Sequence, residues 1–208
     1  MTSTQALSAV AGVVNFIATI LYVISIWRGH TKPSRVTWAI WTALSLLTAG
    51  GMYQSGTLNG QMYAVVVGDI VITSFALLWG SGGWTRVDRW SLAGALIGLT
   101  VWVLTKDPFY AILISLSVNY IGAVPTIAKT WKYPGEEDLV AWGVVTLATF
   151  IQFLAVTEWT FAAMAQPISY LSIQVPLVLL ICRKFRKTKE ATPNVPARKL
   201  LDQILMRD

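Results

Sequence analysis

Asp69 is the one carboxylate set well inside an apolar run, after Gly68 and before Thr73 and Ser74. A carboxylate in hydrocarbon is costly, so it faces protein or a water-filled cavity. Two roles suit it: a proton-coupling or substrate-binding group, or an acid held for packing by Tyr, Trp or Ser donors. Asn15 and Asn119 are two further polar groups in apolar runs. They suit either a pair of amides facing a central polar ligand, such as a sugar hydroxyl, or interhelical hydrogen bonds worth about 0.6 kcal/mol each. Gln166, Tyr170 and Gln174 are spaced by four and so share one helix face. That face points to the interior, as a ligand pathway or as bundle packing. Trp38 and Trp142 stand just inside the ends of their runs. They suit a gate or pocket lining, against the alternative of an interfacial aromatic belt. The belt accounts for Trp27, Trp84, Trp90, Trp131 and Trp159.

The elements that position these groups follow from composition. Of 208 residues 55% are hydrophobic and 12% charged, where a soluble domain carries about 25% charged residues. The charges cluster, leaving apolar runs at 6–27, 36–52, 62–80, 90–105, 109–131, 139–157 and 160–182. Crossing hydrocarbon takes roughly 20 apolar residues as helix. The runs are continuous rather than alternating, which excludes a membrane barrel. Seven transmembrane helices are therefore expected, in an all-α integral membrane protein. No Lys or Arg precedes Arg28, so the first run reads as an uncleaved helix rather than a signal peptide. Seven spans place 15 of the 16 Lys and Arg on one side and Lys106 alone on the other. Positive residues stay in the cytoplasm, which predicts an inner (plasma) membrane protein with its N-terminus outside and its C-terminus inside.

The sequence also repeats. At an offset of 104 residues, Val14, Asn15 and Ile17 fall on Val118, Asn119 and Ile121. Trp27 falls on Trp131, Val36 on Val140, Trp38 on Trp142 and Thr42 on Thr146, with no gap across 14–42. Two paired Trp and a paired Asn are not obtained cheaply from apolar composition. The expected organisation is a three-helix repeat over 1–80, a linker helix over 81–107, a second three-helix repeat over 108–187 and a cytoplasmic tail over 188–208. Parallel repeats of this kind put a substrate site near the midplane at their interface. The mate of Asp69 is Ile173, so the site would carry one carboxylate, not two.

Pro125-Thr126-Ile127-Ala128-Lys129-Thr130-Trp131-Lys132, followed by Glu137 and Leu139, resembles the PQ-loop motif. The three-plus-one-plus-three layout resembles the same superfamily, which includes the SWEET sugar transporters, lysosomal amino-acid exporters and the KDEL receptor. Thr126 stands where the family has Gln, and Leu21 and Tyr22 stand where the first repeat would have Pro-Gln. The resemblance implies a SWEET-like fold, transport by alternating access, and a hinge at Pro125 with no counterpart in the first repeat. A second resemblance, to nicotinamide-riboside uptake proteins, rests on the layout and the Trp-rich helices.

Other features carry less. Arg28, Lys32 and Arg35 oppose Glu136, Glu137 and Asp138 in matching loops. Solvated loop charge is the expectation, with an ion-paired inner gate as the alternative. Residues 197–207 read as a short amphipathic helix in the tail, with disorder equally compatible. Cys182 is the sole cysteine and His30 the sole histidine, with no metal set, Ser-His-Asp trio or phosphate-binding Gly loop. Neither an enzyme nor a cofactor or metal site is expected, nor is a nucleic-acid partner. The expected function is a small-solute transporter for a sugar, amino acid or vitamin-like solute. The partners are that solute and membrane lipids, with a homo-oligomer left open. The alternatives are a receptor or binding protein of the same fold, and a structural or assembly subunit.

Overall fold

The computed structural model describes residues 2–82, 86–105 and 108–191, which form seven α-helices and one short 3-10 turn. They are α1 (Ser3–Trp27), α2 (Arg35–Gln54), α3 (Gly60–Trp79), α4 (Arg86–Thr105), α5 (Pro108–Lys132), α6 (Leu139–Leu154) and α7 (Phe161–Ala191). The chain is thus all-helical among the described residues, apart from one isolated bridge between Ser34 and Ser81. Among these residues, three helices (α1, α3 and the 161–183 part of α7) are long and apolar enough to cross a membrane, and α6 is a shorter apolar helix.

Local sequence explains where the helices begin. Thr2 and Gln5 form a reciprocal capping box at α1, satisfying donors that have no partner in the first turn. Ser34, Asn59 and Asp138 each accept from the N–H three residues on, at α2, α3 and α6. Gly29 ends the turn after α1 at φ +73°, a left-handed conformation that a Cβ disfavours. α7 runs on through Pro167 and Pro176 and past Cys182 to Ala191. The helix thus continues through 188–191, past the start of the expected tail. Backbone hydrogen bonding, not hydropathy, carries it there. Residues 197–207, Trp84 and Lys106 lie outside the described residues.

Packing follows a cyclic order. α1 lies on α3, α3 on α2, α2 on α5, α5 on α7, α7 on α6, and α6 returns to α1. α4 stands outside this ring, against α5 and the edge of α2. The approach of α1 to α3 depends on glycine: a Cβ on Gly12 would lie 2.6 Å from the Gly60 carbonyl oxygen, and one on Gly60 2.5 Å from that of Ser8. Small residues of this kind let helix backbones meet where hydrocarbon offers no hydrophobic drive.

α1 turns polar residues inward and large apolar ones outward. On α1, Asn15, Thr19 and Ser25 are buried, whereas Val10, Val13, Phe16, Ile17 and Ile20 are exposed. Large apolar side chains on the outside of α1, with its polar groups inside, suit hydrocarbon as the solvent.

Candidate functional site

Inside the ring is a cavity with about 840 Å³ of unfilled space, counted out to its mouth, of which about 100 Å³ admits the centres of water-sized molecules. All six ring helices line it and, among the described residues, α4 does not. Seven of the eight candidate binding residues face it: Asn15, Trp38, Asp69, Asn119, Trp142, Tyr170 and Gln174. They come from six different helices, so chain folding, not sequence proximity, assembles them.

Gln166 is the exception. It is buried at one end of the cavity, where its Nε2 donates to Gln61 Oε1 (3.2 Å) and its Oε1 accepts from Asn59 Nδ2 (3.3 Å). Gln61 in turn donates to Thr149 Oγ1 (2.7 Å) and, more weakly, to Asn15 Oδ1 (3.5 Å). Ser8 donates to Gln152 Oε1 at the same end (2.9 Å). This neutral amide–hydroxyl network ties α1 and α3 to α6 and α7. Pro125 is buried within α5 and does not line the cavity.

Asn15 and Asn119 each line the cavity, and each bonds the third helix of its own half: Asn15 with Gln61 on α3, Asn119 with Ser169 on α7 (3.3 Å). Asp69 lies on the cavity wall, and its backbone carbonyl accepts from Thr42 Oγ1 of α2 (2.9 Å). Among the described residues no basic side chain pairs with it. Gln174 is buried, and its Oε1 has no hydrogen-bond partner.

The other end of the cavity is an aromatic box. Tyr22, Trp38, Trp41 and Trp142 contact one another in a closed circuit, with centroid separations of 5.2, 5.2, 6.1 and 6.3 Å. Three of the four contacts are edge-on, the arrangement the ring quadrupole favours. Beyond the box, Ile26, Ala76, Leu177 and Ile181 fill the space between helices with 2% exposure or less. Trp38 and Trp142 are therefore interior residues rather than members of an interfacial belt.

Glu137 requires a correction. Loop charge in water was the expectation, yet its side chain is fully buried. The 3-10 turn at Pro134–Glu136 and the Asp138 cap fold the chain back under the bundle, which carries Glu137 beneath the box. There its Oε2 accepts from Tyr22 OH on α1 (2.7 Å) and Trp142 Nε1 on α6 (3.0 Å), and its Oε1 pairs with Lys129 on α5. Lys129 also donates to the Lys32 carbonyl, and the Lys32 N–H donates to the Glu136 carbonyl (3.2 Å). The Lys32–Glu136 side-chain pair is a looser, more exposed contact at 3.9 Å. One buried carboxylate thus holds α1, α5 and α6 together at the end bearing the 28–34 and 133–138 loops. Tyr22 and Trp41 were legible on the same faces as Asn15 and Trp38; only its place in the motif resemblance marks Glu137.

Comparison with family models, curated proteins and solved structures finds no match.

Proposed function

We propose that this chain is a small-solute membrane transporter of SWEET-like three-plus-one-plus-three organisation, working by alternating access to the central cavity. The observation that carries the reading is a largely apolar cavity with one carboxylate and several amides on its wall, lined by all six ring helices and flanked by two chemically different contacts between the halves. At one end the closure is the aromatic box over Glu137 and Lys129. At the other it is the neutral network of Gln61, Thr149 and Gln166. Each closure joins the 3–79 half to the 108–191 half, so parting one while keeping the other would open the cavity to one side only.

Repetition of structure supports a two-repeat organisation. α1 and α5 are both 25 residues long, and the caps Ser34 and Asp138 stand 104 residues apart with the same N–H three residues on. Helices pack in the order first–third–second within each half. A seven-span topology with an external N-terminus and a cytoplasmic C-terminus is supported by its placing 15 of the 16 Lys and Arg on one side, and an inner membrane is the location it suits. Pro125 is a reasonable hinge, since it removes a backbone hydrogen bond within α5.

Solute flux tests the proposal. Purified protein in liposomes is expected to carry a solute of the cavity's size down its gradient, and Asp69→Asn to impair it. Binding of such a solute without flux would favour a receptor and sink the transport reading.

A further inference from the structure

We propose that the cavity recognises an N–H-bearing organic cation, an alkylammonium or alkylguanidinium with a short apolar body. The inference rests on the cavity being the solute site and names the class of solute.

Charge comes first. Asp69 is the only carboxylate on the lining and, among the described residues, no Lys, Arg or His lines it. The nearby carboxylate, Glu137, is already matched by Lys129. Once ionised, an acid in a low-dielectric wall calls for a positive partner, and Asp69 has none from the protein among the described residues.

Hydrogen-bonding capacity points the same way. Several donors on the lining are spent on the protein itself. Trp41 Nε1 donates to the Asn119 carbonyl (3.4 Å), Trp142 Nε1 and Tyr22 OH to Glu137, Thr19 Oγ1 to the Asn15 carbonyl (3.2 Å), and Asn119 Nδ2 to Ser169. Gln174 Oε1, by contrast, is a buried acceptor left without a donor. Leaving such a group unsatisfied costs the desolvation of that atom, and a ligand N–H would recover it. Gln174 adjoins Ile173, which packs in the same cluster as Trp38 and Trp142. Thr73, one turn along α3 from Asp69, donates to the Trp38 carbonyl (2.8 Å). The carboxylate, the free acceptor and the aromatic box therefore all face one cavity. Indole and phenol rings attract cations as well as apolar groups, so the box suits the body of the same ligand. A carboxylate or phosphate ligand would meet Asp69 with no cationic side chain to offset it.

The test uses the full-length protein in nanodiscs, with n-butylammonium, n-butylguanidinium, n-butanol and butyrate as probes of matched size. Calorimetric titration is expected to show binding of the two cations, at least tenfold weaker binding of butanol and none of butyrate. Asp69→Asn should weaken the cations at least tenfold and leave butanol unchanged, while Asp69→Glu keeps most of the affinity. The ligand-free Tm of each variant shows that it is folded. Equal binding of butanol and the cations, or cation binding indifferent to Asp69→Asn, would overturn the proposal. Flux assays in liposomes separate it from the transporter reading. Cation binding without flux upholds the cation site and sinks transport; flux of a neutral solute with no cation binding sinks the cation site and leaves transport standing.

Discussion

Replacing Glu137 by Gln removes one negative charge and keeps the shape. The wild-type carboxylate takes three donors from three helices, with its side chain fully buried and that of Lys129 12% exposed. Breaking one partner of a buried ion pair costs about 3–5 kcal/mol, because the other charge is left unmatched. The residual exposure of Lys129 lets its ammonium recover some water, so the low end, about 3 kcal/mol, applies. At about 1.4 kcal/mol per factor of ten, that is more than a hundredfold in any equilibrium that parts this contact. For a chain of this size the loss corresponds to a fall in Tm of roughly 6 °C or more. Two assays read it. Scanning fluorimetry should show the lower Tm, with Lys129→Met combined with Glu137→Gln recovering part of it, since the double variant leaves no orphan charge. A reporter cysteine at Val145, on the cavity wall, in a Cys182→Ser background should react faster with a membrane-impermeant thiol reagent added at the basic-loop end. An unchanged Tm together with unchanged labelling would refute the claim that Glu137 holds this end shut.

Other outcomes follow from single contacts. Gly12→Ala puts a Cβ 2.6 Å from a backbone oxygen that cannot swing away, so α1 and α3 must part and Tm should fall by several degrees. Gly50→Ala meets nothing within 4 Å and should leave Tm unchanged or slightly raised, which makes it the control in the same melting series. Trp142→Phe keeps a ring in the box but loses the N–H to Glu137, with an expected loss of about 1–2 kcal/mol by denaturation, less than that of Glu137→Gln. Gln61→Leu removes the hub of the opposite network. At about 0.6 kcal/mol per hydrogen bond in a membrane bundle, it should cost about 1–2 kcal/mol in the same measurement.

How far the site was legible depended on where each residue sits along the chain. Asp69, Asn15, Asn119, Tyr170 and Gln174 stand out because a polar group in an apolar run has few places to go but inward, and the cavity lining holds all five. Trp38 and Trp142 were ambiguous, since Trp near a span end suits the interface equally well. The aromatic contacts with Tyr22 and Trp41 put them inside. Gln166 shares a helix face with Tyr170 and Gln174 yet leaves the cavity for Gln61, because its position two turns from Gln174 takes it to the end of the bundle. Glu137 was hidden for a different reason. Within a run of three acids after a Gly, residue type alone does not separate it from solvated charge; only its place in the motif resemblance, two residues before Leu139, sets it apart. Its burial comes from a turn and a cap that aim it back at Tyr22, 115 positions away. The extension of α7 to Ala191 was hidden because helical hydrogen bonding does not stop where apolar composition does.

Accessibility of the cavity from both faces of the membrane tests the central claim most directly. The Val145→Cys, Cys182→Ser protein is placed in liposomes of known orientation, and a membrane-impermeant thiol reagent is added from either side. Alternating access predicts modification from both sides, with Glu137→Gln accelerating only the reaction from the basic-loop end. Modification from one side alone, unchanged by Glu137→Gln, would contradict it and leave the chain a binding protein.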